Sequence, residues 1–256
     1  MEVQLRILLL ICPMVFLAGI IDAVAGGGGL ITLPVYMIAG LPPHMATATN
    51  KCGSTFGTIF ATIRFIKSGR IHLKSAVCAA AAALIGSFFG AKLNMVMSDR
   101  VLSYIMLFVV PIMAVFLFLK RDFGEEDRSD TCSPALLLAG SAGIGFVIGT
   151  YDGFFGPGTG TFLMLAFSRI CRFDLLTASG NTKLVNATSN FAALVTFAFS
   201  GQVLWIIGLP AAVCSIAGNY VGASLALKKS AKIIRPMLLV VMALLVIRLA
   251  YDIFLK

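Results

Sequence analysis

Gly149-Thr150-Tyr151-Asp152-Gly153-Phe154-Phe155-Gly156-Pro157-Gly158 restates, 130 residues later, Gly19-Ile20-Ile21-Asp22-Ala23-Val24-Ala25-Gly26-Gly27-Gly28. Each copy sets a carboxylate in an apolar stretch, follows it with a glycine cluster, and continues into a short apolar segment. The echo resumes at a spacing of 132: Lys51 matches Lys183, and Ser68-Gly69 matches Ser200-Gly201. Gly86, Gly90, Ala91 and Leu93 match Gly218, Gly222, Ala223 and Leu225. Two apolar halves with charges and glycines interrupting corresponding places are the pattern of a transporter built from internal repeats.

Composition fixes the solvent. Hydrophobic residues make up 59% of the 256 and charged residues 12%, against roughly 25% charged in soluble domains. A water-soluble globule could not cover itself with so little polar surface. The net charge of +9 sits mostly in short connections, which orients helices rather than binding nucleic acid. The cysteines (Cys12, Cys52, Cys78, Cys132, Cys171, Cys214) form no CxxC pair, so neither a disulfide framework nor a zinc site is expected.

Ten apolar segments follow, at about 5–25, 27–40, 45–66, 74–96, 101–119, 134–153, 156–170, 177–199, 203–227 and 236–255. Roughly 20 apolar residues cross a hydrocarbon core as a helix. The second and seventh are too short for that, and both follow glycine clusters, so broken or half-membrane helices are expected there. Ala23-Val24-Ala25 mimics a signal-peptidase site. Its pattern recurs internally at Asp152, so the first segment is expected to stay in the mature protein. The fold class expected is an all-α integral membrane protein of about ten transmembrane or half-membrane helices in two inverted five-segment repeats. Residues 1–119 form the first repeat, 120–134 a polar cytoplasmic linker and 135–256 the second repeat.

Charge sets the topology. Arg64, Lys67, Arg70 and Lys74 flank one connection, and Lys228, Lys229, Lys232 and Arg235 another. Ten crossings put both on the linker's face, whereas hairpins at segments two and seven would put them on opposite faces; the positive-inside rule therefore favours ten crossings, with that face cytoplasmic and both termini periplasmic. Lys67-Ser68-Gly69-Arg70 corresponds to the uncharged Phe199-Ser200-Gly201-Gln202. Opposite charge bias at matching loops is what inversion predicts.

Candidate site residues follow from what an apolar medium penalises. Gly26, Gly27, Gly28 and Gly29, and Gly156, Gly158 and Gly160, can break helices and turn backbone N–H groups toward an anion at a helix N-terminus. A lysine at a helix centre costs roughly 2.5–3.5 kcal/mol, so Lys51 and Lys183 call for a partner, a water-filled path or a snorkelling route to the headgroups. Each has an asparagine beside it, Asn50 and Asn181, and Asn186 adds a neutral ligand within a series that includes Asn190. Asp22 and Asp152 are candidates for proton coupling, for pairing with a lysine, or for holding the adjacent glycine turn. Gly86/Gly90 and Gly218/Gly222 read as helix-packing patterns, and His44 and His72 as ordinary loop residues. No HExxH, GxSxG or GxxxxGK[ST] occurs, so no enzyme, metal site or cofactor is expected.

Asp22 through Pro34 with Ala48-Thr49-Asn50-Lys51, and Tyr151 through Gly160, resemble the TauE/SafE sulfite-exporter family, the second string most closely its YfcA-like branch. The resemblance covers essentially the whole chain. It implies a bacterial inner-membrane permease with duplicated halves, handling sulfite, sulfonates or other small organic anions. The expected partners are a small anionic substrate and the lipid bilayer, with no nucleic acid and homo-oligomerisation left open. A cation permease using the paired aspartates and a non-transporting assembly subunit are the alternatives.

Overall fold

The computed structural model describes residues 2–102, 104 and 126–229. Segment 236–255, most of segment 101–119, most of the linker and the basic positions from 230 onward lie outside them. Among the described residues the fold is all helical: α1 (Glu2–Ala25), α2 (Gly29–Ile38), α3 (Pro43–Lys67), α4 (Leu73–Val96), α5 (Pro134–Phe154), α6 (Thr159–Ile170), α7 (Leu175–Phe199) and α8 (Trp205–Lys229). A single 3-10 turn, Ser129–Thr131, precedes α5. The helices start where their sequences cap them. Ser133 Oγ accepts from Leu136 N, and Asp174 Oδ1 accepts from Thr177 N at 2.6 Å, each taking up an N–H that the first turn leaves orphaned.

Among the described residues four helices are long and apolar enough to cross a membrane: 6–25, 73–96, 134–154 and 205–228. Their side-chain distribution is that of a protein in lipid. On α4, Val77, Leu84, Ile85, Phe89 and Leu93 are exposed, while Ala79, Ala83, Gly86, Ser87 and Gly90 are buried. Small residues inside let helix backbones approach, because lipid supplies no hydrophobic drive to bury large ones. A Cβ on Gly145, Gly149 or Gly153 of α5 would strike Ala79, Ala83 or Ser87, and one on Gly86 or Gly90 would strike the α5 backbone. Gly218 and Gly222 of α8 meet Phe16 and Ile20 of α1 in the same manner.

The two short elements turn back. Ten residues of α2 rise about 15 Å, half a hydrocarbon core. Tyr36 and Val35 pack with Ile11 and Val15, so α2 runs back along the helix that delivered it. Helix α6 does likewise, returning Ile170 beside Gly140 and Cys171 to within 3.5 Å of Ser141. Segments two and seven are therefore short helices folded back on the ones before them, as the glycine clusters ahead of them led one to expect.

Long-range contacts fix the ends. Arg64 on the last turn of α3 donates to Tyr220 Oη (2.9 Å) and Ser224 Oγ (2.8 Å) of α8, its guanidinium lying over the Tyr220 ring. His72 N donates to Asn181 Oδ1 (2.9 Å), adding the first turns of α7 to that end. Leu204 N donates to Thr49 Oγ1, which places the α7–α8 connection at the other end. Neither histidine is an ordinary loop residue. His72 caps α4 through Ser75 N and lies against Phe173, while His44 sits between Asn94 Oδ1 (3.1 Å) and Met97 O (3.0 Å).

Candidate functional site

Helix α1 ends at Gly26 and α5 at Gly156 because both residues take positive φ, +78° and +93°, a conformation an L side chain strains to adopt. The tips of the two hairpins touch. A Cβ on Gly26 would fall on the backbone of Gly160 and Thr161. The carbonyls freed by the breaks are taken up across the junction, within the second hairpin and from α4, as burial in an apolar medium requires. Thr161 donates its N–H to Gly26 O and its hydroxyl to Ala25 O (2.7 Å). Asn94 Nδ2 donates to Phe154 O, and Tyr151 Oη to Pro157 O, both at 2.7 Å.

Beside this junction the matching charges pair crosswise. Lys51 Nζ of α3 lies 2.9 Å from Asp152 Oδ1 of α5, both side chains 2% exposed. Lys183 Nζ of α7 donates to the main-chain oxygen of Asp22 and lies 3.2 Å from its Oδ2 on α1. Each lysine thus meets the aspartate from the opposite end of the sequence, and the positive potential expected of the lysines is offset by the two carboxylates. The two pairs are not equal. Ser189 Oγ donates to Asp152 Oδ2 at 2.6 Å, and Ser87 Oγ of α4 in turn donates to Ser189 O. The residue 132 earlier than Ser189 is Gly57, which offers Asp22 no hydroxyl. Asp22 Oδ1 accepts a longer bond, 3.3 Å, from Gly28 N, and its side chain is 15% exposed.

The neutral groups form directional chains. Lys51 Nζ donates to Asn190 Oδ1 (3.0 Å), and Asn190 Nδ2 donates to Asn186 Oδ1 (2.9 Å). Thr32 Oγ1 donates to Asn50 Oδ1 (2.7 Å). In both chains the asparagine oxygen is occupied, so the amide nitrogen of Asn186 and of Asn50 is the end left over. Neither nitrogen makes a hydrogen bond among the described residues. Both asparagines line a narrow polar cavity that leaves about 30 Å3 for the centres of water molecules.

Most of the residues singled out in the sequence converge on this cavity: Asp22, Gly26, Gly28, Gly29, Asn50, Lys51, Asp152, Gly156, Gly160 and Asn186. The remaining four do not line it. Gly27 accepts from Leu30 N in the first turn of α2, and Gly158 holds the N-terminus of α6 at φ +77°. Lys183 lies behind Asp22, and Asn181 faces the end of the bundle, bonded to His72. Ser189, Thr161, Asn94, Tyr36 and Asn219 were not singled out. For Ser189 and Asn219 a signal was available, because at the spacing of 132 they fall opposite Gly57 and Ser87.

Comparison with known proteins agrees with this architecture. The family model for sulfite exporter TauE/SafE matches residues 11–249. The probable membrane transporter protein YfcA of Escherichia coli (strain K12) is 40% identical over 238 residues, 92% of this chain and 87% of that one. The probable membrane transporter protein ORF9 of Sinorhizobium sp is 39% identical over 93% of this chain and 90% of its own. A probable membrane transporter protein of Haemophilus influenzae is 32% identical over 98% of both. No solved structure matches. With its family model spanning nearly the whole chain and its helices fit for a bilayer, this multi-pass membrane protein belongs to the TauE/SafE family of transporters.

Proposed function

We propose that the chain is a secondary transporter for a small anion, such as sulfite, a sulfonate or a related organic anion, in the bacterial inner membrane. One observation carries this reading. The buried lysines and aspartates at the hairpin junction cancel pairwise, and what remains on the cavity wall is a pair of amide N–H donors, Asn50 and Asn186, beside Lys51. Neutral donors bind a dehydrated oxyanion without the charge that would hold it too tightly to release. The glycine-broken hairpins add backbone N–H groups near the same place.

In this reading residues 1–119 and 135–256 are inverted halves joined by a cytoplasmic linker. Three features support it: the crosswise ion pairs, the hairpins that meet tip to tip, and the packing of α1 on α8 and of α5 on α4. Reporter fusions at Gly69 and Gly201 should then report opposite sides, cytoplasmic for the first, and identical reports would end the inverted arrangement. Asp22 is the carboxylate placed to exchange a proton, since it is 15% exposed and its partners Gly28 N and Lys183 Nζ stand at 3.3 and 3.2 Å, whereas Asp152 is 2% exposed and held at 2.6 and 2.9 Å.

Purified protein in liposomes tests the whole reading. Labelled sulfite or a small sulfonate should cross, Asn186→Leu should raise the apparent KM about tenfold, as loss of one hydrogen bond to a charged ligand implies, and Asp22→Asn should abolish pH-gradient-driven uptake while sparing counterflow. No flux across an anion panel would overturn the anion reading. Cation flux in its place would favour the aspartates as ligands.

A further inference from the structure

The cavity does not end at the anion-binding donors. It continues between α1, α3 and α8 to Ser215 and Asn219, and it reaches Tyr36 on α2. Here the polarity reverses. Asn219 Nδ2 donates to Ser215 O at 3.0 Å, which fixes the amide and leaves Oδ1 as its free group. Among the described residues that oxygen is buried with no hydrogen-bond partner, and so is the hydroxyl of Tyr36. The two side chains are 2% and 0% exposed. Buried polar atoms are normally paired, so two unpaired ones on a single cavity call for a missing partner.

Their origin in the duplicated sequence makes the feature specific. In the equivalent place of the other half, Ser87 donates to Ser189 O and Ser189 to Asp152, so these two hydroxyls are used internally. On this side the counterpart of Ser189 is Gly57, and a Cβ there would run into Ser215 Oγ and Asn219 Nδ2. The internal relay is missing, and an acceptor is left over on a residue that lines the cavity.

Building on the anion reading above, we propose that the cavity is bipartite. It binds a small organic anion whose far end carries a hydroxyl, with the anionic group at Asn50, Asn186 and Lys51 and the hydroxyl between Asn219 Oδ1 and Tyr36 Oη. Asn219 Oδ1 can only accept, so it repels an anionic oxygen and takes an O–H. Tyr36 can donate to the same oxygen atom. A hydroxyl, which donates one hydrogen and accepts another, satisfies both groups at once. A bare ammonium would leave the tyrosine proton without an acceptor, and an alkyl terminus would leave both atoms unpaired. A site built to hydrogen-bond a substrate hydroxyl rejects the analogue lacking it far more strongly than an apolar pocket rejects a methylene.

The test uses full-length protein in liposomes and two probes that differ by one oxygen, 2-hydroxyethanesulfonate and ethanesulfonate, with sulfite as reference. Counterflow should show the wild type preferring the hydroxysulfonate about tenfold or more in apparent KM. Within each of Tyr36→Phe and Asn219→Ala, the ratio of the two KM values should fall to about threefold or less. Using the ratio within each variant removes differences in folded yield. Equal handling of the two probes by the wild type, or a ratio that survives in both variants, overturns the bipartite site. Transport of sulfite but of neither sulfonate also overturns it and leaves the anion reading standing. Transport of none of the three rejects the anion reading itself.

Discussion

Lys51→Met should yield a protein that inserts poorly and loses most of its thermal stability in detergent, and Asp152→Leu should do the same. Removing either member leaves the other as an uncompensated charge 2% exposed, a defect typically worth about 3–5 kcal/mol. The double variant Lys51→Met/Asp152→Leu should recover most of that stability, because two apolar side chains replace two charges together. Melting by size-exclusion chromatography of the three variants checks the result. Single and double variants that are equally unstable would mean that the pair holds the fold through something other than mutual charge.

Gly26→Ala should be comparably damaging. The added methyl falls on the backbone of Gly160 and Thr161, which cannot rotate away as a side chain could. Positive φ costs an alanine about 1–2 kcal/mol anywhere, so a control is needed that has the conformation without the contact. Gly69 provides it, at φ +69° with nothing within 4 Å of its would-be Cβ. Gly69→Ala should lower the melting temperature by a few degrees only. Gly26→Ala should abolish transport and lower stability well beyond that, because parting the hairpin tips also breaks both hydrogen bonds from Thr161 to Ala25 and Gly26. Equal effects in the two alanine variants would make backbone conformation, not contact, the cause.

Much of this site was legible in the chain because duplication marks it. Asp22/Asp152, Lys51/Lys183 and the glycine clusters stand out against an apolar background, and most of them meet at the cavity. What duplication cannot express is who touches whom. A repeat establishes that Asp22 and Asp152 are equivalent, and it leaves open whether each pairs within its own half or across to the other. Nearness to a lysine does not decide which asparagine reaches the cavity, since Lys183 itself lies outside it. Asn186, three residues after Lys183, lines the cavity, whereas Asn181 turns to His72. Tyr36 gave no signal of its own, since a tyrosine in an apolar helix most often serves packing, and Asn219 gave only its place opposite Ser87. Their meaning lies in atoms left unbonded, which only coordinates reveal.

The crosswise ion pairs also constrain how such a molecule can move. Suppose the two halves rock against each other to open first one face and then the other. Two buried ion pairs, each with one member on either half, cannot be drawn apart without a cost of several kcal/mol apiece. The axis of rocking must therefore pass close to both pairs, where displacement is least. Lys51–Asp152 and Lys183–Asp22 would act as a fulcrum, and the travel would be greatest at the lever ends, among the exposed turns around Gly69 and Gly201. On that geometry the charged centre of the protein is its stillest part, and the substrate waits at the pivot while the walls swing around it.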